Sequence, residues 1–280
     1  MKNLLKQLGK SLCYVCLFGG MQFIAYFIAM MQYGVKAAVE AANNGEELSQ
    51  LELAEGMMDY LTQSTGWVLI LSAVMTLLFV WFLFAVRKKK ILKETNIVPF
   101  EANRIIPVII LAVSAVAAVE CAFSILPIPE SLLMEYEESI MGLFEGSTLS
   151  IILSTVIAAP IVEEVIFRGL VLSRLKKAMP VAVAAILSSL AFGYFHGQIV
   201  WVCYATLLGI LMCFVAINCR STLASIFFHM IFNLLGGMPI VSHLLGENMV
   251  PIMIAEILAL IAGAAAISWM CRLSGGMEQI

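Results

Sequence analysis

The chain has 280 residues, of which 62% are hydrophobic and 12% charged, with a formal charge of -3. That charged share is about half the usual one. A soluble core cannot hide so much apolar surface, so the composition excludes a soluble globular enzyme and leaves the lipid bilayer, with no nucleic acid, as the expected environment.

Apolar runs of about 20 residues, each long enough to cross roughly 30 Å of hydrocarbon as a helix, recur along the chain. They fall near 11–34, 66–86, 105–127, 149–173, 180–197, 199–218, 222–243 and 249–271. The expected fold is therefore all-α: a polytopic membrane helix bundle of about eight transmembrane helices, one integral membrane domain over 1–280. Basic residues set its orientation. Lys2, Lys6 and Lys10 precede the first run, and Arg87, Lys88, Lys89, Lys90, Lys93 and Arg104 separate the second and third. Arg174, Lys176, Lys177, Arg220 and Arg272 fall on the same side, whereas Lys36 is the one basic residue in the alternate loops. Both termini are expected to be cytoplasmic.

The first run resembles a signal peptide in its basic flank, but it exceeds 20 residues and has no small-x-small cleavage pattern before Gln32, so it reads as a retained span. Cys13-x-x-Cys16 lies inside it at helical spacing, and nothing else supports a redox or metal role. The outer loop that follows is acidic, and Leu48, Leu51, Met58 and Leu61 are spaced for a short helix on the outer interface after Asn43-Asn44-Gly45. A second amphipathic helix is expected after Pro129, with Leu133, Tyr136, Ile140, Leu143 and Phe144 opposite a row of glutamates. Glu120 and Glu256, in the third and eighth runs, have no partner identifiable from sequence and read as relay groups or as protonated acids within the bundle.

The fourth run contains Pro160-Ile161-Val162-Glu163-Glu164-Val165-Ile166-Phe167-Arg168. Ionisable groups at bilayer depth cost about 2.5 to 3.5 kcal/mol each on insertion scales, so they face a protein interior or a water cavity. Glu164 and Arg168 are four apart with the acid first, the favourable order for a same-face ion pair, whereas Glu163 is about 140° around the helix from Arg168. Glu163 is left free. Pro160 removes the donor to the Val156 carbonyl and should kink the helix, admitting water beside the acid. The plainer alternative is a structural Glu-Arg pair with a bystander acid.

Two of the three histidines carry helical partners: Phe192 with His196 and His229 with Asn233, each four apart on one face. His243 has no such partner and is set aside. At 1.5 Å per residue, Glu163, His196, His229 and Asn233 lie roughly 20, 24, 14 and 20 Å from the inner interface, depths at which they can meet.

Glu163-Glu164-x-x-x-Arg168, Phe192-x-x-x-His196 and His229-x-x-x-Asn233, in this order, resemble the three motifs of the CPBP family of intramembrane proteases. That family includes the type II CAAX prenyl endopeptidases and bacterial proteins linked to bacteriocin immunity. The matching core spans about 147–240. The resemblance implies an endopeptidase acting on membrane-associated proteins or peptides, in a bacterial plasma membrane. Glu163 corresponds to its water-activating acid, His196 and His229 to its histidines, Asn233 to a polar partner and Arg168 to the motif arginine, with Glu164 and Phe192 supporting.

The chemistry agrees, since peptide hydrolysis needs a base for water, donors for the oxyanion and a proton for the leaving amine. Zinc held by His196, His229 and Glu163 is the alternative to metal-free catalysis by Glu163. Zinc proteases commonly pair two histidines four apart on one helix, whereas these lie 33 residues apart on different runs. Two other readings of the whole chain are an ion-coupled transporter, for which no matching repeat halves are present, and a catalytically idle immunity or scaffold protein.

Overall fold

Hydrocarbon offers the backbone no hydrogen-bond partners, so membrane-length apolar runs must close their own bonds as helices. The computed structural model describes residues 2–45, 47, 49–236 and 249–275, and among the described residues there is no strand. We label the helices α1 (Lys2–Asn44), α2 (Gln50–Val86), α3 (Ile91–Glu94), α4 (Ile105–Ile125), α5 (Glu130–Phe144), α6 (Thr148–Leu175), α7 (Val181–Tyr194), α8 (Ile199–Asn218), α9 (Thr222–Gly236) and α10 (Met249–Gly275).

Six of them, α1, α2, α4, α6, α8 and α10, are long and apolar enough to cross a membrane, and α7 and α9 are shorter apolar helices. The chain is a polytopic helical membrane protein. At 14 residues, α7 spans about 21 Å, well short of the hydrocarbon thickness. Its last turn therefore ends at depth, and His196 follows it there. His243 and residues 237–240 of the expected core lie outside the described residues, as do Glu46 and Leu48.

The short helix expected on the outer interface after Asn44 is not a separate element. A capping box at Ser49 and Glu52 starts α2, which then runs unbroken through Val86. Between Leu61 and Trp67 the weakest helix former is Gly66, and one glycine costs about 1 kcal/mol, too little to end a helix so well capped and packed. The second expected amphipathic helix is α5, beginning after Pro129.

Helix α6 is the centre of the bundle: α1, α2, α7, α8 and α9 all pack on it, while α4 and α10 pair with each other and α4 also meets α9. From Val165 to Leu172 every residue of α6 is buried, as a helix surrounded by protein requires. Phe167 fixes this stretch, meeting Phe18 edge-on at 5.6 Å and Phe192 at 5.5 Å. Gly169 and Gly209 are among the positions that depend on the lack of a side chain. A Cβ on Gly169 would stand 2.9 Å from the Thr95 carbonyl oxygen, and one on Gly209 would stand 2.9 Å from Ser189 and 3.1 Å from Arg168.

The two α4–α10 acids are not isolated. Glu120 and Glu256 come within electrostatic reach of each other, with Cys121 bonded to Glu256. Cys13 and Cys16 are exposed free cysteines on α1.

Candidate active site

Helix α6 is not α-helical throughout. Residues 152–158 and 165–172 form π turns on either side of the α-helical Ala159–Glu164. The Ala159 N–H bonds to the Ser154 carbonyl, one residue further back than in an α-helix. In that wider register the next donor, residue 160, should serve Thr155, but Pro160 has no N–H. The Asn233 side-chain amide supplies it instead, donating to the Thr155 carbonyl at 2.8 Å. The carbonyl that the proline bares is thus Thr155's where α-helical spacing had pointed to Val156, and α9 is fastened to α6 at that point.

The pairing expected on α6 is present. Arg168 Nη1 donates to Glu164 Oε1 at 2.6 Å, and both side chains are wholly buried. Arg168 Nη2 donates to the Gly209 carbonyl at 3.0 Å, and its guanidinium lies 4.4 Å over the Phe192 ring. Burying two charges repays its desolvation only when the remaining lone pairs and protons are satisfied. Glu164 meets that condition: its second oxygen accepts from Ser225 Oγ, and His229 Nδ1 lies 3.2 Å from Oε1.

These bonds determine how His229 is presented. With Arg168 and Ser225 already donating to it, the Glu164 carboxylate acts as an acceptor, so His229 Nδ1 carries the hydrogen and Nε2 is the free end of the ring. Nε2 points to Glu163, 3.9 Å from Oε2. Glu163 has no partner on its own helix, as its position around the helix required, and keeps 16% of its side-chain surface open while Glu164 keeps none.

His196 is joined to this group through aromatic rings. Its Nδ1 faces the Phe192 carbonyl at 3.1 Å and its ring meets Phe192 at 4.8 Å; Phe192 in turn meets His229 at 5.8 Å. One phenyl ring therefore spaces Arg168, His196 and His229. On its other side His196 packs on Trp201 at 5.2 Å, and Trp201 meets Tyr136 of α5 at 6.2 Å. The amphipathic helix α5 thus covers the His196 side of the site.

Of the residues singled out in the sequence, Glu163, Glu164, Arg168 and His229 form one contact group. Phe192 ties His196 to that group, whereas Asn233 is held one turn beyond His229 against Thr155. His196 and Asn233 make no polar contact with Glu163 among the described residues. Ser225 escaped sequence reading although a signal was present: Ser225, His229 and Asn233 are spaced by four, so all three share one face of α9.

Zinc demands converging donors at about 2.0–2.2 Å. Among the described residues no three His, Cys, Asp or Glu side chains converge to hold a metal. His229 engages Glu164 and His196 engages the Phe192 carbonyl through Nδ1, so each ring keeps Nε2 free.

Residues 145–235 match the family model described as type II CAAX prenyl endopeptidase, Rce1-like. The matched segment contains α6, α7, α8 and all but the last residue of α9, and with them every residue of the contact group. No curated protein and no solved structure matches the chain.

Proposed function

We propose that the chain is an intramembrane endopeptidase that hydrolyses peptide bonds of membrane-associated proteins or peptides, with water activated by Glu163. The observation that carries this reading is the 3.9 Å gap between Glu163 Oε2 and His229 Nε2. In the tautomer with the hydrogen on Nδ1, His229 offers a lone pair at Nε2, and the facing Glu163 carboxylate oxygen also accepts. Two acceptors so placed are joined by a shared donor, and one water molecule can donate a hydrogen to each. Its oxygen lone pair then points away from both, toward a substrate carbonyl.

In the step that follows, the water oxygen bonds to the scissile carbon as Glu163 takes its proton. Asn233 gives one amide hydrogen to Thr155 and has a second for the developing oxyanion. Glu163 returns the proton to the amine as the C–N bond breaks. Glu164 stays acceptor-bound to Arg168, Ser225 and His229, and serves to fix the ring. His196, anchored through Nδ1, presents Nε2 as a further contact for water or substrate. Burial of this group among apolar helices favours a membrane-associated substrate, and cleavage of prenylated CAAX-type substrates is the form of the reading to which the family match lends support.

The test is to reconstitute purified wild-type protein and Glu163→Gln with membrane fractions and to read new peptide termini by mass spectrometry. Glu163→Gln should insert and melt normally but lose about 10²- to 10⁴-fold in cleavage rate. Near-normal turnover by that variant would overturn the assignment.

A further inference from the structure

At the basic end of the bundle, away from Glu163, a cavity of about 680 Å³ lies between the last turns of α2 and the segment 89–98. Trp81 and Ala85, four apart on one face of α2, form one wall, with Lys89 just past the helix end; the opposite wall includes Leu92 and Ile97, with the exposed Lys90 and Lys93. Trp81 and Leu92 are more than half exposed, so the apolar wall is open on the outside of the bundle.

Of the three groove lysines, Lys89 is paired internally; among the described residues Lys90 and Lys93 are not. Lys89 bonds to Glu94 at 2.8 Å, and Arg174 takes the other Glu94 oxygen at 2.8 Å. Lys90 and Lys93 have no ion pair among the described residues and are exposed. Helix α2 ends with the Lys88 N–H bonded to Ala85 and the Lys89 N–H to Phe84, the six-to-one and five-to-two pattern whose left-handed position usually holds glycine. Lys88 occupies that position at φ 52°.

We propose that this groove binds an anionic phospholipid, its phosphate held by Lys90 and Lys93 and its upper acyl chain lying along Trp81, Ala85 and Leu92. The charge pattern favours this occupant. An unpaired cationic rim takes an anion, an apolar open wall takes hydrocarbon, and a tryptophan at the end of a membrane-spanning helix sits where headgroups meet acyl chains. The volume is of the order that holds a small-molecule ligand. The site goes beyond the protease reading and does not depend on it.

The segment lining the groove is also tied to the helices of the candidate active site. Thr95 packs on Gly169 of α6, the Asn96 side-chain amide donates to the Arg220 carbonyl at 2.9 Å, and Thr222 at the start of α9 donates its N–H to the Asn96 carbonyl at 2.9 Å. A lipid that orders residues 90–98 would therefore brace α6 against α9.

Trp81 is a built-in reporter. A full-length variant with Trp67, Trp201 and Trp269 changed to Phe keeps it as the sole tryptophan. This protein is reconstituted in phosphatidylcholine bilayers containing a minor fraction of acyl-brominated phosphatidylglycerol or, separately, of acyl-brominated phosphatidylcholine. The anionic lipid should quench Trp81 the more strongly. Lys90→Gln with Lys93→Gln should cut its apparent affinity about 30-fold, the equivalent of roughly 1 kcal/mol for each of the two cations near a membrane surface. Lys2→Gln with Lys177→Gln, removing two exposed lysines outside the groove, should leave the preference unchanged. Equal quenching by the two lipids would overturn the proposal, as would a preference that survives loss of Lys90 and Lys93. Displacement of the brominated lipid by inorganic phosphate at millimolar concentration would instead assign the rim to a free anion and equally overturn it.

Discussion

Asn233 donates its side-chain amide to the carbonyl of Thr155, and it does so because Pro160 cannot. The bond links the π turn before Glu163 to the helix that carries His229, so the spacing of the two elements depends on it. Asn233→Ala should leave that carbonyl without its partner and destabilise the protein by about 1 to 3 kcal/mol. Pro160→Ala restores a backbone N–H at the position that faces Thr155. The double variant should therefore melt higher than Asn233→Ala alone. It also separates two roles for Asn233: if the rescued double variant still cleaves slowly, the second amide hydrogen is needed for the reaction itself. A double variant no more stable than Asn233→Ala would show that the proline does not create the vacancy Asn233 fills.

Arg168 and Glu164 make a second separable pair. Arg168→Ala leaves Glu164 buried without its cation, a change of the kind that costs about 3 to 5 kcal/mol. Adding Glu164→Gln removes the uncompensated charge, and the double variant should recover part of the lost thermal stability. It should not recover activity, because a glutamine cannot accept at both oxygens from Ser225 and His229, and the His229 ring loses the bond that selects its tautomer. Thermal melting and cleavage rate measured on the same three proteins decide this. Recovery of both together would mean that Glu164 has no part in orienting His229.

The Glu164–Arg168 pair was legible in the sequence because it is a local relation, fixed by 3.6 residues per turn. The same geometry identified Glu163 as the acid without an intrahelical partner. What joined the helices was not legible. The His229 contact with Glu164 depends on how α9 is rotated against α6, and the Asn233 bond depends on a π register that spacing alone does not reveal. The eight apolar runs were readable because hydrocarbon forces closure of the backbone bonds. The outer helix after Asn44 was misjudged as separate because its polar sequence resembles an interfacial element, whereas capping and continuity with α2 decide its direction. Ser225 was readable in principle, as the first of three polar residues on one face of an otherwise apolar helix.

Orientation rests on charge asymmetry and has its own test. In a cysteine-free background, single cysteines at Asn44 and Ser139 should react with a membrane-impermeant thiol reagent on intact cells, and one at Lys89 only after permeabilisation. Asn44 ends α1 and is exposed, and Ser139 on α5 is half-buried beside the exposed Glu137 and Glu138, so both offer surface to the reagent. Labelling at position 89 in intact cells would reverse the assigned sides.

Glu94 gives the protein a pH dependence that can be measured outside the membrane-spanning helices. Its hydrogen bond from Lys89, joined by that from Arg174, holds the carboxyl below the ordinary value of 4.5 despite the opposing effect of partial burial. The folded state thus binds the proton more weakly than the unfolded state. Such a group contributes its full stability above the unfolded value and loses it as pH falls through the lower folded value. Wild-type protein in detergent should accordingly melt above Glu94→Gln at about pH 7, and the difference should shrink as pH is lowered beneath about 4.5. The bond also ties the end of α6, through Arg174, to the segment beneath α2, so the variant should loosen residues 89–98 first, read as faster amide exchange there than elsewhere. A melting difference that stays constant down to about pH 3 would show that the Glu94 pairing does not contribute to folding.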